Sequence, residues 1–379
     1  MIEKSEILPL TGLRFFAALY VFIFHIHIRW PLTENPYVKN ILDQGAIGMS
    51  LFFILSGFVL AYRYSSGGTA YRSYLVSRFS RIYPVYLLAA VATIPWMGVN
   101  FGDGSFVDTA LAVSKVAMLV VANLFVIQAW FPQMFNYWND GASWSISVEV
   151  FCYFLLPLML PALNKMKSTR LLLLGAGCAV FSALIGVSAA LFDDAANKVF
   201  YSIPIFRLPE FVVGICACLC FMRGHGRRAG QSMQVVVLGL LVLYLSVVGS
   251  KMPLYVGHNW IVIPTIAFLL VSLSAGGGIL NWLLSTRLVV WLGKISYSFY
   301  SLQFLVIIPL VEHHADVVGE FSALNNPKIL MVCAFLVLVA ASAVAHHFVE
   351  EPMRKWINRK YQEKQRGSRH DDQLLAVAK

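Results

Sequence analysis

The sequence predicts an all-α fold: a polytopic transmembrane helical bundle. Only 13% of its 379 residues are charged and 59% are hydrophobic, whereas a soluble domain carries about 25% charged residues. This leaves too little polar surface to cover a water-soluble body. Long apolar windows also recur along the chain, and a helical crossing needs roughly 20 mainly apolar residues. Because lipid offers the backbone no hydrogen-bond partners, each crossing is expected to be a helix.

About eleven apolar windows qualify as candidate crossings. They run near residues 10–29, 47–64, 82–99, 109–130, 145–163, 171–191, 201–221, 233–250, 258–274, 288–310 and 328–349. Basic residues gather in the short connections between them and in the C-terminal tail, where cytoplasmic loops of membrane proteins carry them. Topology therefore explains the net charge of +10 better than nucleic-acid binding does, and no nucleic-acid partner is expected.

Charge parity removes one window from the list of crossings. The clusters at 63–81 and 165–170 are both basic and should both face the cytoplasm, yet three windows lie between them. One of the three cannot cross, and 109–130 is the best candidate because it contains Ser114, Lys115, Asn123 and Gln128. We expect it to be re-entrant or interfacial. The prediction is about ten crossings with both termini cytoplasmic.

The expected organisation is a transmembrane domain over 1–352 and a basic, partly disordered cytoplasmic tail over 353–379. We expect no further soluble domain. The N-terminus lacks the pattern of a cleavable signal. The six cysteines lie inside apolar windows, and Cys216, Cys218 and Cys220 alternate around a helix and so do not converge on one ion; no metal site is predicted.

Ionisable residues inside the first helix are candidates for function, because such groups are costly in hydrocarbon. Arg14 and His25 are eleven residues apart, which places them on one helix face about 16 Å apart along the axis. Histidine is the side chain best suited to proton transfer near neutral pH. The alternative for His25 is an interfacial histidine that reaches water.

Two further positions belong to the second helix and the loop that follows it. Ser56 and Gly57 form a small-residue pair that lets either another helix or a thin ligand approach closely. Arg78 and Arg81 are three residues apart at the cytoplasmic boundary. They would make a phosphate clamp, or they are ordinary positive-inside anchors.

Glu149 lies one turn inside a later apolar helix, behind Ser145 and Ser147. A carboxylate at that depth needs a partner. In the predicted topology His25 lies at the same outer end, and a carboxylate would orient its imidazole. The alternative is a structural salt bridge to an arginine.

Taken together, these segments resemble the acyltransferase 3 family of membrane O-acyltransferases. The resemblance rests on an ordered set of motifs from Leu10 to Trp356: LTGLRFFAALYVFIFH, FFILSGFVL, RFSRIYP, WSISVE, RLPEFVVG, LGKISYSFYSLQF and FVEEPMRKW. It implies a helical domain of about ten crossings, typically in the bacterial inner membrane. Such a domain takes an acyl group, often acetyl, from cytoplasmic acyl-CoA and passes it to a hydroxyl of a glycan, lipid-linked sugar or other small acceptor.

By this resemblance His25 is the catalytic histidine, Arg14 its motif partner, Arg78 and Arg81 the cytoplasmic pair, and Glu149 the acid of the later helix. Two departures matter. Gln303 stands where the family commonly has histidine, so it can bind but cannot titrate. The family's second acid after WSISVE is absent, so Glu149 serves that site alone.

The resulting hypothesis is that acetyl-CoA or another acyl-CoA docks its phosphates on Arg78 and Arg81 and threads its arm past Arg14 and Ser56–Gly57. His25 then acts as general base or as acyl carrier. We expect Trp144, Ser147 and Gln303 to contact the acceptor, with tryptophan stacking on sugar rings. The rival function is a proton-coupled transporter or flippase, since intramembrane Arg, His and Glu also build proton relays.

Overall fold

In a computed structural model, the chain folds into helices joined by short turns. The described residues are 6–100, 102, 104–135, 137–138, 140–188, 199–226, 231–252 and 255–377, and they contain no β-strand. A π-helical turn, His346–Glu350, joins the last two helices. The helices are α1 Leu8–His27, α2 Pro36–Leu42, α3 Ile47–Tyr64, α4 Tyr71–Ala92, α5 Phe106–Leu124, α6 Asp140–Lys165, α7 Ser168–Ser188, α8 Pro204–Met222, α9 Gln231–Val248, α10 Asn259–Ala275, α11 Ile279–Leu284, α12 Arg287–Glu312, α13 His314–Glu320, α14 Pro327–Ala345 and α15 Glu351–Val377.

Eleven helical segments among the described residues are long and apolar enough to span a membrane. They correspond to α1, α3, α4, α5, α6, α7, α8 with Val199 as its first residue, α9, α10, α12 and the continuous stretch Pro327–Arg366. The predicted all-α transmembrane bundle is confirmed.

Contacts between helices fix their directions. Ser50 near the start of α3 accepts a hydrogen bond from Arg207 near the start of α8, and Ser65 after α3 meets Met222 at the end of α8, so these two helices run in parallel. Asn164 at the end of α6 donates to the Ser65 carbonyl. We call the end of the bundle that contains Ser65 and Asn164 the basic end, because the arginine and lysine clusters lie there. The opposite end is the distal end.

Helix α5 follows the distal end of α4, and the chain after α5 returns to that end. After α5, the Trp138 amide donates to the Met97 carbonyl at 2.9 Å, and the Trp138 indole donates to the Ala90 carbonyl at 2.8 Å. The C-terminal end of α5 reaches only to the middle of α4, where Tyr86 donates to the Asn123 carbonyl at 2.9 Å. The chain therefore returns to the end of α4 that it left. This agrees with the re-entrant segment predicted at 109–130 and leaves ten crossings.

A reporter experiment tests this arrangement. Topology reporters fused after Trp138 and after Asp43 are expected to give the same address, and a reporter after Met166 the opposite one. The reason is that an even number of crossings separates the first two positions. Opposite addresses for the fusions after Trp138 and Asp43 would show that α5 crosses.

The C-terminal segment starts as an extension of the last crossing. Helix α15 follows α14 through the π-helical turn without a break, and its Asn358 side chain bonds to Ser80 of α4 at 2.9 Å. The boundary expected at 352/353 therefore falls inside a continuous helical stretch. Partial disorder of the tail stays a prediction.

Candidate functional site

The centre of the bundle contains a stripe of polar side chains on α6. Ser145, Glu149 and Tyr153 are four residues apart, so they share one face of the helix. The Glu149 carboxylate accepts hydrogen bonds from the Ser56 hydroxyl on α3, at 3.1 Å, and from the Tyr153 hydroxyl. The hydroxyls of Ser56 and Tyr153 are themselves 3.2 Å apart. One turn nearer the distal end, Ser145 bonds to Tyr300 of α12 at 2.6 Å.

Three arginines continue this polar region toward the basic end. Arg14 of α1 interacts electrostatically with Glu149, Tyr153 and Arg81. Arg78 lies over the Tyr64 ring, with its guanidinium carbon 5.8 Å from the ring centre. Among the described residues, none of Arg14, Arg78 and Arg81 has a carboxylate oxygen within the 4.0 Å of an ion pair. We call these three the arginine group. Guanidiniums without a direct ion-pair partner at one end of a membrane bundle are suited to binding an anion.

His25 lies near the distal end of α1. Its ring packs edge-on against Phe304 of α12, with the ring centres 5.0 Å apart, and its backbone carbonyl accepts from Arg29 at 2.8 Å. The buried Nδ1 atom of His25 has no hydrogen-bond partner among the described residues. Within the part of the chain that the structure describes, one ring nitrogen of His25 is therefore available to accept or donate a hydrogen bond.

The expected pairing of His25 with Glu149 does not occur in the structure. Phe304 contacts His25, Tyr300 lies one turn nearer the basic end, and Tyr300 bonds to Ser145. Glu149 is one more turn away along α6. Two helical turns amount to about 11 Å, which is too far for a hydrogen bond, so Glu149 pairs with Ser56 and Tyr153 at the level of Arg14.

Gly57 packs two helices together and does not face an open channel. A Cβ atom at Gly57 would lie 2.1 Å from the Phe211 carbonyl oxygen of α8, and one at Gly214 would lie 1.9 Å from the Ile54 carbonyl oxygen of α3. Of the two alternatives for the Ser56–Gly57 pair, close approach of a second helix is the one observed for Gly57. Ser56 alone faces the polar stripe.

The residues expected at the acceptor site are all buried. Trp144 is only 4% exposed and packs on Tyr201, with the ring centres 4.5 Å apart, so its ring faces are core contacts rather than an open platform for a sugar. Ser147 and Gln303 are each 1% exposed, and the side-chain amide of Gln303 has no hydrogen-bond partner among the described residues. Of the three, Gln303 keeps the most unused hydrogen-bonding capacity.

Burial separates the site charges from charges that serve the fold. Arg207 and Glu210 on α8 are fully buried and paired at 3.0 Å, and Asn259 adds a hydrogen bond to Glu210 at 3.2 Å. By contrast, all three members of the arginine group, His25 and Glu149 retain some accessible surface inside the bundle. Groups that must meet a substrate need such access, whereas a buried ion pair that joins helices does not.

Sequence reasoning missed several members of the site. Tyr153 could have been found from its spacing of four residues after Glu149. Tyr300 lies with Gln303 in the motif LGKISYSFYSLQF, but its spacing gives no signal that it meets Ser145 of a different helix. No cluster of three or more His, Cys, Asp or Glu side chains with metal-binding geometry occurs within the described part of the chain.

Comparison with known proteins gives a consistent result. The family model described as "Acyltransferase domain" matches residues 8–353. The chain is 27% identical to the acyltransferase MdmB of Streptomyces mycarofaciens over 376 residues, covering 93% of this chain and 92% of the relative. It is also 24% identical to YrhL of Bacillus subtilis (strain 168), whose name provisionally describes a peptidoglycan O-acetyltransferase. That match covers 91% of this chain and 54% of YrhL. No solved structure matches the chain significantly.

Proposed function

The chain belongs to the acyltransferase 3 family, and on that basis we propose that it is a membrane O-acyltransferase that uses cytoplasmic acyl-CoA, most simply acetyl-CoA. The acceptor is a hydroxyl of a glycan, a lipid-linked sugar or a related molecule at the other membrane face. The protein resides in the bacterial inner membrane with both termini in the cytoplasm. The positive-inside rule supports this orientation, because the basic clusters gather at one end of the bundle.

The observation that carries the proposal is the arginine group. Arg14, Arg78 and Arg81 come from two different helices, lie toward the basic end and have no carboxylate partner among the described residues. Coenzyme A carries phosphate groups at one end of a thin arm, and arginine binds phosphate through charge-assisted hydrogen bonds. Arg78 and Arg81 therefore bind the phosphates, and Arg14 lies further along the path of the arm.

The arm passes along the polar stripe toward His25. Ser56, Glu149, Tyr153 and the Ser145–Tyr300 pair offer hydroxyl and carboxylate groups in sequence between the arginine group and the distal end. These groups can bond to the amides of the arm. Glu149 then acts by holding the arm and offsetting the charge of Arg14, in place of the role of orienting His25 that the sequence suggested.

His25 carries the chemical step. Its free ring nitrogen takes the proton of the acceptor hydroxyl, the oxygen attacks the thioester carbonyl carbon, and the carbon–sulfur bond breaks. The imidazolium then returns the proton to the departing thiolate, so no further reactant is needed. Transfer through an acyl-histidine uses the same residue as a nucleophile, and rapid quenching with labelled donor distinguishes the two routes by the presence or absence of label on the protein.

Donor binding is the direct test. In nanodiscs, Arg81→Ala and Arg78→Ala are each expected to weaken binding of coenzyme A by about 10- to 100-fold, the loss of one charge-assisted hydrogen bond. Isothermal titration calorimetry measures this. Arg72→Ala is the matched control, since Arg72 is exposed on the same helix and should leave binding unchanged.

Equal binding in all three variants would contradict a donor site at the arginine group. Movement of a small glycan or lipid across the membrane by the purified protein, without release of coenzyme A from acetyl-CoA, would instead establish the transporter alternative. Mass spectrometry of surface glycans from a deletion strain identifies the acceptor through the loss of one acyl group. The similarity to YrhL makes peptidoglycan the first acceptor to examine.

A further inference from the structure

Arg81 is flanked in sequence by two residues that are each held by another helix. The buried Ser80 hydroxyl accepts a hydrogen bond from the Asn358 side chain of α15 at 2.9 Å. On the other side, the Ile82 carbonyl accepts from the Tyr297 hydroxyl of α12 at 2.8 Å. Both contacts join residues more than 200 positions apart in the chain. They hold α4 on both sides of Arg81, through the Ser80 side chain and through the Ile82 backbone.

The same stretch of α4 is weak as an isolated helix. Pro84 lies inside the helix, and a proline has no amide hydrogen to donate to the carbonyl four residues earlier. That carbonyl belongs to Ser80. An interior proline also tends to bend the helix at this point. The hydrogen bonds within α4 therefore do little to fix the orientation of the Arg81 side chain. The contacts from α12 and α15 fix it instead.

Arg81 also needs to be held against repulsion. It interacts unfavourably with the like charge of Arg14, and no carboxylate in the described residues forms an ion pair with it. A long side chain in that position would turn away from Arg14 unless its backbone were fixed. Guanidiniums that bind one anion repel each other while the anion is absent. If the protein already holds them in place, less free energy is spent on ordering them when the anion binds.

The junction that supplies Asn358 is held by buried hydrogen bonds. Glu350 ends the π-helical turn, is fully buried, and accepts hydrogen bonds from Ser298 and His346, both at 2.9 Å. Ser298 adjoins Tyr297 on α12. The buried carboxylate thus ties the start of α15 to the same turn of α12 that holds Ile82. A π-helical turn inside a long helix often marks a functional position.

We infer that Asn358 and Tyr297 are positioning residues of the donor site, and that α15 holds Arg81 in the orientation that binds the phosphates of acyl-CoA. This inference rests on the proposed function. It assigns the first part of the C-terminal segment a role in substrate binding that the basic composition of the tail does not reveal. In this role Asn358 acts through the Ser80 side chain and Tyr297 through the Ile82 backbone, without contacting the donor.

The test separates binding from turnover. Asn358→Ala and Tyr297→Phe are each expected to raise the Kd for coenzyme A and the KM for acetyl-CoA about three- to tenfold, the equivalent of one hydrogen bond. Turnover at saturating donor stays near that of the unmodified protein. Two matched controls should leave both constants unchanged. Asn281→Ala removes a side-chain amide that caps the end of α10, and Tyr20→Phe removes a hydroxyl that donates to the Ile41 carbonyl at 2.6 Å near the distal end.

A double-mutant cycle sharpens the result. Ser80→Ala removes the acceptor of the Asn358 bond, so Ser80→Ala/Asn358→Ala should bind coenzyme A no more weakly than either single variant. Additive losses would overturn the inference, as would a loss of turnover with unchanged KM. If Arg81→Ala weakens binding while Asn358→Ala and Tyr297→Phe do not, only the positioning role fails. If Arg81→Ala has no effect, the donor site itself is wrong.

Discussion

His25→Ala is expected to lower acyl transfer from acetyl-CoA by about 10²–10⁴-fold, the usual contribution of a general base, while the protein remains folded. The imidazole makes no hydrogen bond through Nδ1 within the described residues, and its contact with Phe304 is a ring contact of the kind that other side chains can partly replace. Removing the imidazole is therefore expected to lower the rate of the chemical step and to disturb the packing of the bundle little. Release of free coenzyme A from labelled acetyl-CoA by purified protein, with the acceptor present, measures the effect.

His27 provides the matched control on the same helix. Its Nδ1 atom accepts a hydrogen bond from the Leu32 amide at 3.0 Å, and its Nε2 atom lies 3.5 Å from the Asp43 carboxylate. Both contacts hold the loop that follows α1. His27→Ala should therefore lower the melting temperature and leave turnover per folded molecule unchanged, the reverse of His25→Ala. Turnover at the level of the unmodified protein in His25→Ala would remove the proposed role of His25.

The fold could be predicted because it depends on composition and window length. In lipid the backbone must satisfy its own hydrogen bonds, and windows of about 20 apolar residues do so as helices. The apolar windows therefore locate the crossings directly. That the segment containing α5 does not cross could also be predicted, because charge parity removed one of the three windows between two basic clusters. The contacts of Trp138 with Met97 and Ala90 give the same answer from a different observation.

The site was harder to predict because it depends on the position of each residue along the bundle axis relative to residues on other helices. Glu149 and His25 both lie in the distal halves of their helices, but a difference of two turns decides whether they can pair. Sequence fixes positions along one helix and leaves the axial offset between helices undetermined. Here the Ser145–Tyr300 bond shows that offset. The same limit explains Trp144, whose place beside Tyr201 depends on how α6 packs.

Arg207 and Glu210 show a second limit, because motif membership alone does not separate a site from a structural pair. Both belong to RLPEFVVG and lie three residues apart, a spacing that allows an ion pair within one helix. In the structure Glu210 is fully buried, and its Oε1 atom lies 3.0 Å from the Arg207 guanidinium. Ser50 of α3 accepts a hydrogen bond from Arg207, and Asn259 of α10 donates one to Glu210. The pair therefore joins three helices near the distal end.

Breaking this pair is expected to have the largest effect on stability. Arg207→Met leaves the Glu210 carboxylate buried without its counter-charge, which should destabilise the protein by about 3–5 kcal/mol. The double variant Arg207→Met/Glu210→Met removes both charges and should recover most of that loss, because apolar side chains of similar volume can replace a buried ion pair. The melting temperature in detergent micelles measures both effects. Equal destabilisation of the single and double variants would show that hydrogen bonds to Ser50 and Asn259 matter more than charge balance, and a stable double variant without turnover would show that the pair serves the reaction.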